Sequence, residues 1–204
     1  MLSKFWEVEE TPKNHPLGSY SPEERLVVRH FHENHHKSKD GTFVVPLPRR
    51  PGAKALGESR TQAVKRFLSL ERSLHSKNQF KAFSDVIEEY FEMDHAEPVP
   101  TDDLQKPSHQ VFYLPMHSVY KESSTTTKAQ AVFDTSAKSS TGVSFNDTLM
   151  VGPTVHPLIN VLMRFRQRRI ALTADISKMY RAIELVTNDR DFHRFVWRKD
   201  PNDT

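Results

Sequence analysis

Apolar positions recur with a helical period in three stretches of the first half of the chain. At Ser21-Pro22-Glu23-Glu24 a capping serine, a proline at the first helical position and a glutamate three residues after the cap announce a helix. Val27, Val28, Phe31 and His35 continue it as a stripe, which predicts a helix to about Lys37. Ser59 and Gln62 form a second capping box, and Ala63, Phe67, Leu70 and Leu74 repeat behind it over about four turns. A third helix follows with Phe80, Phe83, Ile87, Tyr90 and Phe91 turned inward.

Elsewhere the period shortens to two. Residues 42–48 are β-rich but end in Pro46 and Pro48, which restricts them to an edge strand, and the basic loop Arg49-Arg50-Pro51-Gly52 follows. Residues 97–107 are proline-rich and acidic, the chemistry of a linker. Runs at 111–120 and 128–134 flank the polar Glu122-Ser123-Ser124-Thr125-Thr126-Thr127, predicting a hairpin whose tip stands in solvent. Past Pro157 a helix is expected through Leu158, Leu162 and Phe165, ending in Arg164, Arg166, Arg168 and Arg169. Ile170, Leu172 and Ala174 alternate as a buried strand ending at Asp175. A short helical piece runs through Tyr180 and Ile183, and residues 192–197 read as a further strand. Residues 1–20, with Pro12, Pro16 and Gly18 among scattered apolar positions, read as an extended lead-in.

Composition narrows the function. The chain has 204 residues, 36% hydrophobic and 27% charged, enough for one or two ordinary domains. With no cysteine there is no disulfide, thiolate metal site or cysteine nucleophile, and a reducing, cytoplasmic setting is expected. Neither an export signal nor an apolar run of membrane-spanning length occurs. The six glycines never fall into a dinucleotide fingerprint, a P-loop or a nucleophile elbow. A formal charge of +3 permits a polyanionic partner without demanding one.

The strongest chemical signal is Ala171-Leu172-Thr173-Ala174-Asp175-Ile176-Ser177-Lys178-Met179-Tyr180, in which an apolar run delivers one carboxylate and then an aromatic ring. Nucleotidyl transfer uses carboxylates that hold two Mg²⁺ ions about 4 Å apart, though Asp175 could equally cap the next helix. Four further segments stand in order before it: Tyr113-Leu114-Pro115-Met116-His117, residues 121–128, Val132-Phe133-Asp134-Thr135-Ser136-Ala137-Lys138, and Ser144-Phe145-Asn146-Asp147-Thr148-Leu149-Met150-Val151-Gly152-Pro153. Together the five resemble the reverse transcriptase of BEL/Pao-type LTR retrotransposons. Upstream, Phe5-Trp6-Glu7-Val8-Glu9-Glu10, Val44-Val45-Pro46-Leu47-Pro48, Leu56-Gly57-Glu58-Ser59-Arg60 and Phe67-Leu68-Ser69-Leu70-Glu71 resemble the part of the same Pol polyprotein that joins protease to polymerase.

The resemblance implies an α+β chain: a helical connector over 1–97, a linker over 98–107, and reverse-transcriptase fingers with the start of the palm over 108–204. It implies that the hairpin tip closes over an incoming deoxynucleotide with Lys121 and Lys128 facing phosphate. Asp175 is then a catalytic Mg²⁺ ligand, Ile176 offers a carbonyl to metal, and Tyr180 is the sugar gate. Arg164, Arg166, Arg168 and Arg169 are candidates for nucleic-acid phosphates. The implied partners are an RNA template, a DNA primer, deoxynucleotides and the remainder of the polyprotein, in the cytoplasm or a virus-like particle.

Three departures qualify the match. No Gln-Gly motif and no Y-x-D-D-type hairpin follow Asp175, so the chain alone is expected to be inactive: a truncated polymerase or a decayed copy. Gln130 stands where the family generally places an arginine, which weakens the grip on phosphate. Asp189, Asp191 and Asp102-Asp103 read as solvated loop acids.

Other readings compete. Residues 131–137 also resemble the apolar-D-[ST]-G-A loop of a retroviral-type aspartic protease, with Ser136 in the glycine position. A non-catalytic nucleic-acid-binding relic is the other alternative. His30, His32, Glu33, His35 and His36 could bind metal but also read as a solvated helix end, while Phe192, Phe195 and Trp197 read as core rather than base-stacking residues.

Overall fold

The computed structural model describes residues 20–123, 128–153, 158–167, 169–174 and 178–200, a mixed α and β architecture. It divides into two units, one of residues 1–48 with 150–184 and the other of 49–149 with 185–204. Among the described residues no helix is long and apolar enough to cross a membrane.

In the first unit, α1 (Pro22–Asn34) starts as its sequence dictates. The Glu24 amide donates to Ser21 Oγ at 3.2 Å and the Ser21 amide to Glu24 Oε2 at 2.7 Å, a complete capping box. It ends three residues short of Lys37 because His35 is extended, opening the strand β1 (His36–Lys37), which pairs antiparallel with β2 (Phe43–Val45). β2 also neighbours β5 (Ile183–Leu185), so the proline-ended strand lies at the centre of a three-stranded sheet rather than at its edge. That is tolerable because Pro46 and Pro48 fall beyond its last paired residue. The helix α4 (Leu158–Arg166) also lies in this unit.

Over 170–174, the described part of the expected strand, no strand forms. Residues 170–174 have no regular structure, Ile170 is 78% and Leu172 90% exposed, and Asp175 lies outside the described residues. Alternation makes a strand only where a neighbour takes up its hydrogen bonds; among the described residues none does so here.

The second unit is a two-layer packing of helices on a hairpin. α2 (Arg60–Ser76) lies against β3 (Met116–Tyr120) and α3 (Phe80–Glu92) against β4 (Ala129–Phe133). The core joins Phe67, Leu74, Phe83, Ile87, Met116 and Ala131, with Phe195, Val196 and Trp197 packed on it. Burying Phe83 and Ile87 completely stabilises the unit by roughly 1.5–3 kcal/mol each relative to solvent.

Ser59 does not cap α2. Its hydroxyl is buried and accepts the Tyr113 amide at 2.9 Å, tying the helix start to the segment that enters β3. Residues 192–197 are not a strand either. After a 3₁₀ turn at Asp191–His193, only Arg194 bridges to Tyr113, and the alternating aromatics enter the core by themselves. Trp197 sits 5.8 Å from the rings of Phe67, Phe80 and Phe83, so the core assignment of Phe192, Phe195 and Trp197 holds. Residues 97–107 run within this unit and contain a 3₁₀ turn at Thr101–Gln105.

Gly57 is required by a close approach. Its amide donates to Ser139 Oγ at 3.1 Å, and a Cβ there would fall 2.7 Å from the Thr141 amide nitrogen, which cannot yield without moving backbone. Gly57→Ala is expected to cost about 1–3 kcal/mol through overpacking, read as a lower urea midpoint at unchanged slope.

Candidate functional site

The hairpin joins the residues that the sequence reading placed at its tip. Its register pairs Met116 with Phe133, Ser118 with Ala131 and Tyr120 with Ala129, and the Lys121 amide donates to the Lys128 carbonyl at 2.8 Å. Side chains alternate across the strands, so Met116 and Ala131 enter the core while His117, Val119, Gln130 and Val132 form the opposite face. Lys121 and Lys128 extend that outer face at the solvent end, both exposed, and among the described residues neither ammonium has an acidic partner. Gln130 is exposed on the same face, so a neutral amide stands beside the two cations.

Behind the hairpin Asp134 and Glu71 are both committed. Asp134 receives Arg66 Nη1 at 2.7 Å and the Ser136 amide at 3.1 Å, and the Arg66 hydrogen bond holds its carboxyl below the usual range. Asp134 therefore has a guanidinium, and no second carboxylate, as its neighbour among the described residues. Glu71, buried on α2, takes a bidentate grip from Arg198 at 3.0 and 2.7 Å, which lowers its pKa.

Asp189 and Asp191 are not solvated loop acids. Asp189 is buried and pairs with Arg49 at 3.3 Å, while that guanidinium covers the Phe192 ring at 3.7 Å. Asp191 accepts Arg194 Nε at 3.0 Å and Nη2 at 2.6 Å, together with Lys106 Nζ at 2.8 Å. Arg194 also reaches the Tyr113 hydroxyl at 3.3 Å. The i,i+3 spacing of Asp191 and Arg194 was the one sequence signal for this pair. Asp102 is exposed as expected, whereas Asp103 is half-buried and pairs with Lys106 at 3.0 Å.

An open pocket of about 430 Å³ lies under the inner face of β3, lined by Leu70, Ser73, Lys77, Gln79, Ser118 and Tyr120 among others. Lys77 is the one charged side chain in that lining, so no acid–base pair assembles there.

The other predicted site residues are distributed as follows. Arg164 and Arg166 are exposed in the last turn of α4 and Arg169 is exposed just beyond it, while Arg168 lies outside the described residues. Asp175 and Ile176 also lie outside them. Tyr180 is in a 3₁₀ turn, Met179–Arg181, entered through Lys178 at φ +55°. Among the described residues no group of three or more His, Cys, Asp or Glu could hold a metal ion, the histidines near the end of α1 included. There Phe31 and His35 stack at 4.4 Å and His35 meets Phe43 at 5.9 Å, a packing role.

The described residues thus offer a cationic hairpin end and a basic helix end without an assembled catalytic group. No family model, no curated protein and no solved structure matches this chain.

Proposed function

We propose that this chain is the fingers and first palm segment of an LTR-retrotransposon reverse transcriptase of the BEL/Pao type, acting in RNA-directed DNA synthesis as part of a larger Pol polyprotein. The observation that carries the reading is the hairpin end, where the register brings Lys121 and Lys128 together on an open face. Two ammonium groups on a solvent-facing tip are suited to a nucleoside triphosphate, and they are the residues the family resemblance assigns to phosphate.

On this reading Tyr180 gates the sugar, and Arg164, Arg166, Arg168 and Arg169 take template or primer phosphates. Asp175 and the Ile176 carbonyl, both outside the described residues, would hold Mg²⁺, which would supply charge stabilisation to nucleotidyl transfer. The exposed apolar side chains of α4 and of 170–172 are consistent with a palm whose remaining strands are supplied by other chain.

The test is primer extension on an RNA template by the complete polymerase carrying Lys121→Ala and Lys128→Ala. Loss of both contacts is expected to raise the KM for deoxynucleotide about tenfold, equivalent to about 1.4 kcal/mol of binding. An unchanged KM would overturn the assignment of the hairpin end. Salt-sensitive RNA binding by a complete protein that extends no primer would instead favour the non-catalytic binding module.

A further inference from the structure

The inward stripe of α2 changes character along its length. Ala63, Phe67, Leu70 and Leu74 repeat at helical spacing, but the next position of that row is Lys77, with Ser73 beside it. β3 changes at the same end, where its inward side chains run from Met116 in the core to Ser118 and Tyr120. The apolar layer between helix and strand therefore stops short. The space left is the open pocket of about 430 Å³, with Leu70 and Leu74 as its apolar part and Gln79, just past the helix, completing the wall.

The polar groups around this space are unpaired. The Ser118 hydroxyl is buried and has no hydrogen-bond partner among the described residues. A buried hydroxyl left without a partner is destabilising where alanine would not be, so an inward serine here calls for a partner from outside the chain. Among the described residues the Lys77 ammonium, the Ser73 and Tyr120 hydroxyls and the Gln79 carboxamide also make no bond to protein, and the Tyr120 ring stacks on no other ring. No acid lines the pocket, so the charge of Lys77 is open to a ligand.

We propose that this pocket binds a small planar aromatic carboxylate, its ring against Leu70, Leu74 and Tyr120 and its carboxylate oxygens accepting from the Lys77 ammonium and the Ser118 hydroxyl. Pockets of about 300–1,000 Å³ hold organic ligands of this size, and an apolar wall with a few convergent polar groups is their usual lining. The charge balance selects the acid. One ammonium matches one negative charge, and Lys77 closes the C-terminal end of α2, where the last carbonyls carry about half a negative charge. A phosphate monoester, with nearly two charges at neutral pH, meets more of that repulsion. The inference is independent of the polymerase reading and uses none of the residues assigned there.

Calorimetric titration of the full chain with 2-naphthoate, 2-naphthamide and 2-naphthyl phosphate tests it, because the three share a ring and differ in the charge of the head. The expected result is a dissociation constant for naphthoate on the order of 0.1 mM, with the amide and the phosphate each about tenfold weaker. Lys77→Met keeps the stem and removes the charge at an exposed position. It should weaken naphthoate about tenfold and leave the amide unchanged. Ser118→Ala should weaken naphthoate several-fold while the urea midpoint of the ligand-free chain holds or rises, a combination that a purely structural serine would not give. Absence of naphthoate binding at millimolar concentration would overturn the proposal, as would binding indifferent to both variants or equal for acid and amide. Tighter binding of the naphthyl phosphate would overturn the choice of a carboxylate and assign the pocket to a phosphate ester.

Discussion

Asp191→Ala is expected to lower the stability of the chain by about 3–5 kcal/mol, read as a lower urea midpoint at unchanged slope. The Arg194 side chain is 2% exposed and its charge-assisted bonds go to Asp191. Removing the carboxylate strands a buried guanidinium beside the Tyr113 hydroxyl, and Lys106 loses an acceptor as well. A loss below about 1 kcal/mol would mean that water or Asp103 replaces it.

The pair also sets a pH response. Burial pushes the Asp191 pKa up, but the hydrogen bonds from Lys106 and Arg194 outweigh it and hold the carboxyl below its ordinary value. A folded pKa below the unfolded one gives stability that is present in full above the unfolded carboxylate pKa of about 3.9 and lost as pH falls through the folded value. Asp191→Ala should therefore flatten the acid limb of the stability profile.

The second large effect is on chemistry. On the proposed reading, Asp175→Asn in the complete polymerase is expected to reduce primer extension on the order of a thousandfold, the several kcal/mol of charge stabilisation that a metal ligand secures in phosphoryl transfer. The substitution is nearly isosteric, so the fold and RNA binding should survive while kcat falls, which separates a metal-ligand role from helix capping. A cap lost to asparagine costs little, because asparagine caps as well as aspartate. Normal extension by the variant would remove Asp175 from the catalytic group.

The elements that sequence reading located best are those governed by local rules. The Ser21–Glu24 box, the helical periods of α2 and α3, and the hairpin about its polar tip depend on residues a few positions apart, and each forms. What it misread depends on distant partners. Ser59 has the chemistry of a cap but spends its hydroxyl on Tyr113, more than fifty positions away. Asp189 and Asp191 look like solvent-facing acids until Arg49, Lys106 and Arg194 are in place around them. The alternation at 170–174 has the period of a strand without a strand beside it, and that at 192–197 reflects single aromatics entering a core. The facing of Lys121 and Lys128 was legible because a hairpin register is itself local.

Synthesis from the N-terminus gives the aromatic core of the second unit an unusual schedule. α2, α3 and the hairpin are complete once Phe133 has left the ribosome, yet their shared apolar face is closed by Phe195, Val196 and Trp197. For the time taken to translate some sixty further residues, a few seconds or more at ordinary elongation rates, Phe67 and Phe83 lack that cover. The nascent chain must hold this unfinished face away from its neighbours throughout that interval, and chaperone capacity becomes a determinant of how much folded protein a cell recovers.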